Sequence, residues 1–521
     1  TSLIDFSADS KLLGFVSFDE SAVKEFSFQT YENLYPDLFS VKYPKAGEKN
    51  SKVVCNVFDI DSKTIRQMNI PTQQTEYIPR IEFIPSDPNQ LAVMTLNREQ
   101  NEFNMYYANA RSTVSRLILH EKNERYIDTD LLHSIRFMGS DFVCLSERSG
   151  YSHIYLYNSS GVLQRTLTNG NYDVTDILGV DPETKSIYYS SAQDSPLERS
   201  IYKVETVKGV ATKLSSRVGY NSASFSANAK YYINTWSDSN TPSVVSLHDD
   251  KGKEIRVLED NKDLKGRLDG IPRKEFIKVK TASDELNAWI IKPSNFDASK
   301  KYPLVMVQYS GPNSQEVLNQ FEIDWVHYLA NQGFVVACVD GRGTGARGED
   351  FRKCTYMNLG IKESDDQVAA AKYLGSLPYV DMYRIGIWGW SYGGYTTLMS
   401  MSRGNGIFKS GVAIAPVTDW RFYDSVYTER FMRTPQQNMQ GYEKASPISY
   451  VGDLQGRLLL VHGSADDNVH FQNTLKYSQA LIGANKQFDM FVFTDENHSI
   501  PGAKNREYLY TKVIEFFKSH L

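Results

Sequence analysis

Arg384-Ile385-Gly386-Ile387-Trp388-Gly389-Trp390-Ser391-Tyr392-Gly393-Gly394-Tyr395-Thr396-Thr397-Leu398-Met399-Ser400-Met401 is an apolar run, a glycine-flanked serine and a second apolar run in immediate succession. It reads as strand, sharp turn and helix. Such a turn holds its serine in strained backbone geometry, and the flanking glycines are needed because a side chain there would meet the neighbouring strand or helix. The product is an exposed hydroxyl at a helix N-terminus, where backbone N–H groups can face a developing oxyanion.

Five residues of pattern decide nothing alone, so the partners matter. Arg457-Leu458-Leu459-Leu460-Val461-His462-Gly463 is a buried-strand pattern running into Ser464-Ala465-Asp466-Asp467-Asn468, which sets a carboxylate just past a strand end. Met490-Phe491-Val492-Phe493 is another apolar strand, followed by Thr494-Asp495-Glu496-Asn497-His498 and a terminal helix. The chain order is Ser, Asp, His. That is the order expected of an α/β-hydrolase and of neither the chymotrypsin-like nor the subtilisin-like enzymes. Ser391 would be the nucleophile, His498 the base that takes its proton, and Asp466 the group that holds the imidazole and stabilises its cation. Asp467 rivals Asp466, and His462 and His470 are weaker rivals of His498 because they lie close to the acid rather than on a separate late loop. Taken singly, each residue also has a plain structural reading as a turn former or a loop residue.

Around this site, 521 residues are too many for one core, so two domains are expected. Apolar residues make up 41% and charged ones 23%, the composition of an ordinary globular chain, and 33 tyrosines suit strands. A net charge of −5 offers no basis for nucleic-acid binding. No apolar run approaches the roughly 18 residues of a membrane span. Cys55, Cys144, Cys338 and Cys354 are few and widely spaced, indicating neither zinc nor a disulfide framework. They are compatible with a periplasmic or secreted location and equally with the cytoplasm. No leader precedes Thr1, so a leader has been removed or the chain is a piece of something longer.

Before about residue 272 the chain is short strands rich in Tyr, Ile, Val and Phe, separated by Asp, Ser, Asn and Gly turns. A unit of apolar strand, polar turn and apolar strand recurs from Phe6, Phe83, Phe137, Val180 and Phe225. The last three begin 43 and 45 residues apart, the period of one four-stranded propeller blade. About five blades are expected, fewer than a closed propeller of the larger kind, with a generic β-sandwich as the alternative. Residues 26–50, marked by Tyr31, Tyr35-Pro36, Tyr43-Pro44 and Gly47, interrupt the period as an arm or a long loop. From residue 273 strands and helices alternate. Pro303–Tyr309 and Phe334–Asp340 are continuous apolar strands of a parallel sheet, and Glu363–Leu374 is an amphipathic helix. The expected architecture is an incomplete all-β propeller, residues 1–272, followed by a doubly wound, mostly parallel α/β-hydrolase domain, residues 273–521.

The second half resembles the prolyl oligopeptidase family of serine peptidases, most closely its dipeptidyl peptidase IV branch. The resemblance lies in Gly389–Tyr395, Tyr423–Arg430, His462–Gln472, Asp340–Gly345 and Tyr309–Pro312, and extends more loosely over the propeller half. It implies that Tyr309 and the backbone N–H of Tyr392 form the oxyanion hole. It implies that Tyr423, Tyr427, Tyr392, Val417, Trp420 and Val469 wall a small proline pocket, and that Asn468 and Arg430 hold the substrate carbonyl. Without the resemblance, Tyr423 and Tyr427 read as an aromatic pair one helical turn apart. The family uses a glutamate pair to bind the peptide amino terminus, and that pair would precede the segment Thr1–Ser7. The expected activity is release of X-Pro and X-Ala dipeptides from peptide N-termini, with no cofactor, no metal, no nucleic acid and a homodimeric state. The alternatives are a prolyl endopeptidase, a prolyl tripeptidyl peptidase and, from another class, an inert member that binds through its propeller and arm. An esterase or lipase fits the β-repeat half less well.

Overall fold

Each of the five strand-turn-strand repeats opens a four-stranded antiparallel sheet. The computed structural model describes residues 3–521 other than 72 and 74; Thr1 and Ser2, which begin the segment Thr1–Ser7, lie outside the described residues. The first sheet joins Ile4–Phe6, Leu12–Asp19, Lys52–Asp59 and Thr64–Gln67, and the second joins Tyr77–Phe83, Gln90–Leu96, Glu102–Asn109 and Ser115–Lys122. Three more follow, opened by Arg136–Met138, Val174–Asp181 and Tyr220–Phe225. The turns between first and second strands are closed by short polar side chains, which bond their own backbone two residues on. Asp87 accepts from the N–H of Asn89 at 3.0 Å, and Asp181 from that of Glu183 at 2.9 Å. Neighbouring sheets bury apolar faces against each other: Leu12, Val16 and Val57 of the first meet Leu91 and Val93 of the second, and the pattern continues down the row. These are propeller blades.

The connection between second and third strands has the same address in every blade: it faces the other half of the chain. In blade 2 it carries Arg98, in blade 3 Gly150, in blade 4 Leu197 and in blade 5 Ser239. The last three bond Glu349 N–H, Asn319 N–H and Asn319 Oδ1 at 2.8, 2.8 and 3.0 Å. In blade 1 that connection is the long excursion, and this explains why the first repeat interval is stretched. It forms a two-stranded hairpin, Glu25–Thr30 with Asp37–Lys42. The arm is an overgrown version of the turn its sister blades use.

The eight-stranded sheet is built from β1 (Lys274–Lys280), β2 (Glu285–Ile291), β3 (Tyr302–Val307), β4 (Val335–Asp340), β5 (Val380–Trp390), β6 (Ser410–Ile414), β7 (Arg457–Gly463) and β8 (Asp489–Phe493). Its order is β1-β2-β4-β3-β5-β6-β7-β8, and every pairing from β4 to β8 is parallel. Helices Ile361–Gly375, Tyr392–Arg403 and Gln472–Gly483 cover one face, and Trp325–Asn331 and Ala503–His520 the other. Strands covered on both faces must be apolar throughout, as β3 and β4 are. The apolar run from Pro303 is strand only to Val307. Gln308 and Tyr309 leave the sheet, which carries Tyr309 beyond its edge. Cys55, Cys144 and Cys338 are buried, Cys354 is half-buried, and all four are free thiols. No helix among the described residues is long and apolar enough to cross a membrane.

Candidate active site

Parallel strands end at one edge, and four loops meet there. Ser391 follows β5 with φ 59° and ψ −117°, a region a residue with a Cβ enters only under strain of about 1 to 3 kcal/mol. The surroundings impose it. Ser391 N–H donates to the Ile414 carbonyl at 2.8 Å, and the Ser391 carbonyl accepts from Tyr395 N–H at 3.0 Å. The glycines are there for space. A Cβ on Gly389 would lie 2.2 Å from Gly393 O, one on Gly393 2.4 Å from Gln308 O, and one on Gly394 2.7 Å from Ile414 O. Gln308 completes the turn by donating to Gly393 O at 2.8 Å.

Asp466 leaves β7 and His498 leaves β8, adjacent strands whose loops touch. Ala465 N–H donates to Glu496 O at 3.1 Å, and a Cβ on Gly463 would collide with that same oxygen. His498 Nδ1 lies 2.7 Å from Asp466 Oδ2. Trp390 Nε1 donates to the His498 carbonyl at 3.1 Å and ties this loop to the elbow. Burial works against charge on Asp466, but hydrogen bonds from His462 and His498 outweigh it and hold the carboxyl down at about 2. Asp466 is buried and Asp467 exposed, so only the first is enclosed with a histidine. Both rival histidines, His462 and His470, are fully buried.

Tyr309 stands beside the elbow, its ring centroid 6.1 Å from that of Tyr392, and burial raises its pKa. Tyr392 opens the next helix, so its N–H is one of the first-turn donors without an intrahelical acceptor. Tyr392, Val417, Trp420 and Val469 form one buried apolar cluster with Tyr309, Tyr423 and Tyr427 packed against it. Trp420 and Tyr427 stack at 5.9 Å, while Tyr423 meets Tyr427 edge-on at 5.4 Å. Tyr427 lies in the helix Ser425–Met432, but Tyr423 precedes it; the two rings face each other across a helix start and not along a helix. Tyr423 OH donates to Asn468 Oδ1 at 2.7 Å. Arg430 is bound to the propeller: its Nε donates to Gln100 Oε1 at 2.8 Å.

Comparison with known proteins gives concordant results for both halves. The family described as dipeptidyl peptidase IV (DPP IV) N-terminal region matches residues 1–243, and the prolyl oligopeptidase family matches residues 319–521. A probable dipeptidyl peptidase 4 of Emericella nidulans is 34% identical over 543 residues, covering 98% of this chain and 70% of that protein. Prolyl endopeptidase FAP of Mus musculus is 32% identical over 554 residues, covering 98% and 71%. The crystal structure of Porphyromonas gingivalis dipeptidyl peptidase 4 matches with a TM-score of 0.97 and 54% identity, over 100% of this chain and 74% of that one. The chain belongs to the prolyl oligopeptidase family, in its dipeptidyl peptidase IV branch. It is a serine peptidase of that type.

In this dipeptidyl peptidase IV-type chain the candidate site also has supports that no motif announces. Arg98 Nε and Nη2 reach the two oxygens of Glu429 at 2.7 Å each, a bidentate pair in which Glu429 is only 1% exposed. The arm's Gly47 N–H donates to the same carboxylate at 2.7 Å. Glu429 sits two residues after Tyr427, so one side chain joins blade 2, the arm and the helix Ser425–Met432. The arm also packs Phe26 on the His470 ring at 3.5 Å and sends Tyr43 OH to the Asn468 carbonyl at 2.8 Å. Arg98 and Glu429 are 331 residues apart, Tyr43 and Asn468 425. No local pattern could have paired them.

Proposed function

We propose that the chain is an exopeptidase that releases dipeptides with proline or alanine in second position from peptide N-termini, residues 273–521 being the catalytic unit and residues 1–272 the propeller beside it. The observation that carries this reading is the meeting of Ser391, Asp466 and His498 at strand ends on one edge of the sheet, with His498 Nδ1 2.7 Å from Asp466 Oδ2 and Tyr309 beside an aromatic cluster of Tyr392, Trp420, Tyr423 and Tyr427. Ser391 Oγ attacks the carbonyl carbon of the second residue while His498 takes its proton. Asp466 stabilises the resulting imidazolium, and Tyr309 OH with Tyr392 N–H holds the oxyanion. The imidazolium then protonates the leaving amine and the acyl-enzyme remains. Water, deprotonated by the same histidine, hydrolyses it and restores Ser391. A flat pyrrolidine suits the walls of Tyr392, Val417, Trp420, Tyr423, Tyr427 and Val469, which exclude larger side chains by volume. Asn468, joined to Tyr423, and Arg430 serve the neighbouring carbonyl.

Chromogenic Gly-Pro, Ala-Ala and N-acetyl-Gly-Pro substrates test the reading side by side. Cleavage of the first two and loss of the third is expected; equal cleavage of blocked and free Gly-Pro would make it an endopeptidase. We propose further that two copies pair through the arm tip, where Leu34, Tyr35 and Leu38 are 92, 80 and 70% exposed, and through Leu475 and Ile482 of the adjoining helix. Light scattering on a Leu34→Asp, Tyr35→Asp variant should show a monomer where the parent shows a dimer.

A further inference from the structure

Asp466 receives two histidines. His498 Nδ1 lies 2.7 Å from its Oδ2, and Nε2 of His462 lies 3.1 Å from the same oxygen. The side chains of His462 and Asp466 are fully enclosed, whereas that of His498 is 20% exposed. The surroundings decide which nitrogen of His462 carries the hydrogen. Its Nε2 also faces the Val469 carbonyl at 2.7 Å, and a carbonyl only accepts, so Nε2 is the donor and its one hydrogen is shared between that carbonyl and Asp466 Oδ2. The Thr474 hydroxyl, 2.8 Å from Nδ1, donates to the remaining lone pair and fixes that tautomer. On the carboxylate's other side, Oδ1 accepts from the N–H groups of Asn468 and Val469 at 3.0 and 2.9 Å. Every side of Asp466 is thereby held, and His462 is the buried member that shares an oxygen with His498.

We propose that His462 is a positioning residue for the reaction: its Nε2–H orients the Asp466 carboxylate toward His498 and, by drawing on the same oxygen, tempers that carboxylate's pull on the His498 imidazolium. The inference rests on the reading of Ser391, His498 and Asp466 as the triad. A carboxylate with one donor fewer is the stronger base and holds an imidazolium more tightly. Losing the donor should therefore do two things. Turnover falls because the carboxylate can rotate, and the acid limb of kcat/KM moves to higher pH because the cationic histidine persists further up the scale.

Other ionisable groups face this cluster. From the arm come Tyr43 and Lys45, from the segment before the helix Ser425–Met432 Tyr423 and Asp424, from the loop after β7 Asp467 and His470, from the loop after β8 Asp495 and Glu496, from the last helix Arg506, and beside the elbow Tyr309. Burial holds Lys45 down at about 8 and His470 down at about 3, and raises all three tyrosines. Lys45, His470 and the three tyrosines keep their charge through the window of about pH 5 to 7 where a histidine base titrates, and the carboxylates, among them Glu363 behind Tyr392, are the same in parent and variants and cancel in the comparison.

The test is a set of kcat/KM profiles on Gly-Pro-p-nitroanilide for the parent, His462→Phe, His462→Gln, Thr474→Val and Ser391→Ala. His462→Phe keeps a ring and removes the donor; kcat/KM should fall on the order of tenfold, with the acid limb raised by about half a pH unit. His462→Gln restores one N–H and should bring the limb back toward the parent's. Thr474→Val, nearly isosteric, unpins the tautomer and should move the limb the same way as His462→Phe, by less. It decides the matter if His462→Phe does not fold. An acid limb unmoved in Thr474→Val, and in His462→Phe where that variant folds, with Ser391→Ala inactive, overturns the proposal alone. Parent-level activity in Ser391→Ala overturns the triad reading instead.

Discussion

The propeller blades and the eight-stranded sheet use the same strands to opposite ends. In the parallel run from β4 to β8 every strand points the same way, so Tyr309, Ser391, Asp466 and His498 leave four strands at one edge and meet. In an antiparallel meander alternate turns go to opposite edges, and no single edge gathers all the loops. The blades instead present one equivalent turn each to their neighbour, through Arg98, Gly150, Leu197 and Ser239, with the arm in the same place on blade 1. Parallel order concentrates chemistry at a point; antiparallel repetition spreads support over a surface. Changes in the two regions should therefore differ in size and in kind.

The largest effect belongs to the elbow. Ser391→Ala should lower kcat by about a thousandfold or more while the protein still folds, as circular dichroism and active-site titration would register. Tyr309→Phe comes next: it removes one oxyanion donor and keeps the ring, so kcat should fall about a hundredfold with KM little changed. A raised KM with unchanged kcat would make Tyr309 a pocket wall only. On the propeller side, Arg98→Ala leaves Glu429 buried with one partner fewer and loosens the helix that carries Tyr427. We expect KM for Gly-Pro substrates to rise roughly fivefold, about 1 kcal/mol, with kcat nearly intact. A loss in kcat as large as that of Tyr309→Phe would erase the distinction between the two regions.

The same contrast governs how much could be read in advance. The elbow announces itself because close packing at Gly389, Gly393 and Gly394 admits no side chain, and Asp466 and His498 because each follows a continuous apolar strand. The blades announce themselves through polar turns at Asp87, Asp181 and Asn228. The joints between halves leave no such trace. Arg98, Gln100 and Tyr43 look like ordinary turn and loop residues, and only tertiary placement brings them to Glu429, Arg430 and Asn468. His462 was visible as a histidine near an acid, but its role depends on Val469 and Thr474 selecting its tautomer.

The smallest effect on catalysis should come from a residue just behind the strand-end site. Glu363, in the helix Ile361–Gly375, is buried; its Oε1 accepts from Tyr392 OH at 2.7 Å, and its Oε2 has no partner among the described residues. Burial is the main cause that lifts its carboxyl from 4.5 to about 7. A carboxyl with a raised folded-state pKa binds more protons folded than unfolded, so its contribution to stability falls as pH rises through that interval and levels off above it. Glu363→Gln copies the protonated form and keeps an acceptor for Tyr392. The variant should gain on the parent between about pH 4.5 and 7, by about 3 kcal/mol at the plateau. Asp340, lifted by burial to about 7 as well, adds the same slope to both proteins and cancels in the difference. Thermal unfolding midpoints at pH 5 and pH 8 should thus diverge between variant and parent at the higher pH only, while kcat/KM at pH 8 stays within about twofold. A parallel pair of stability curves would mean that Glu363 is charged throughout; a large drop in kcat/KM would mean that its bond to Tyr392 also holds the oxyanion donor in place, and that the site extends one layer deeper into the sheet than its strand ends.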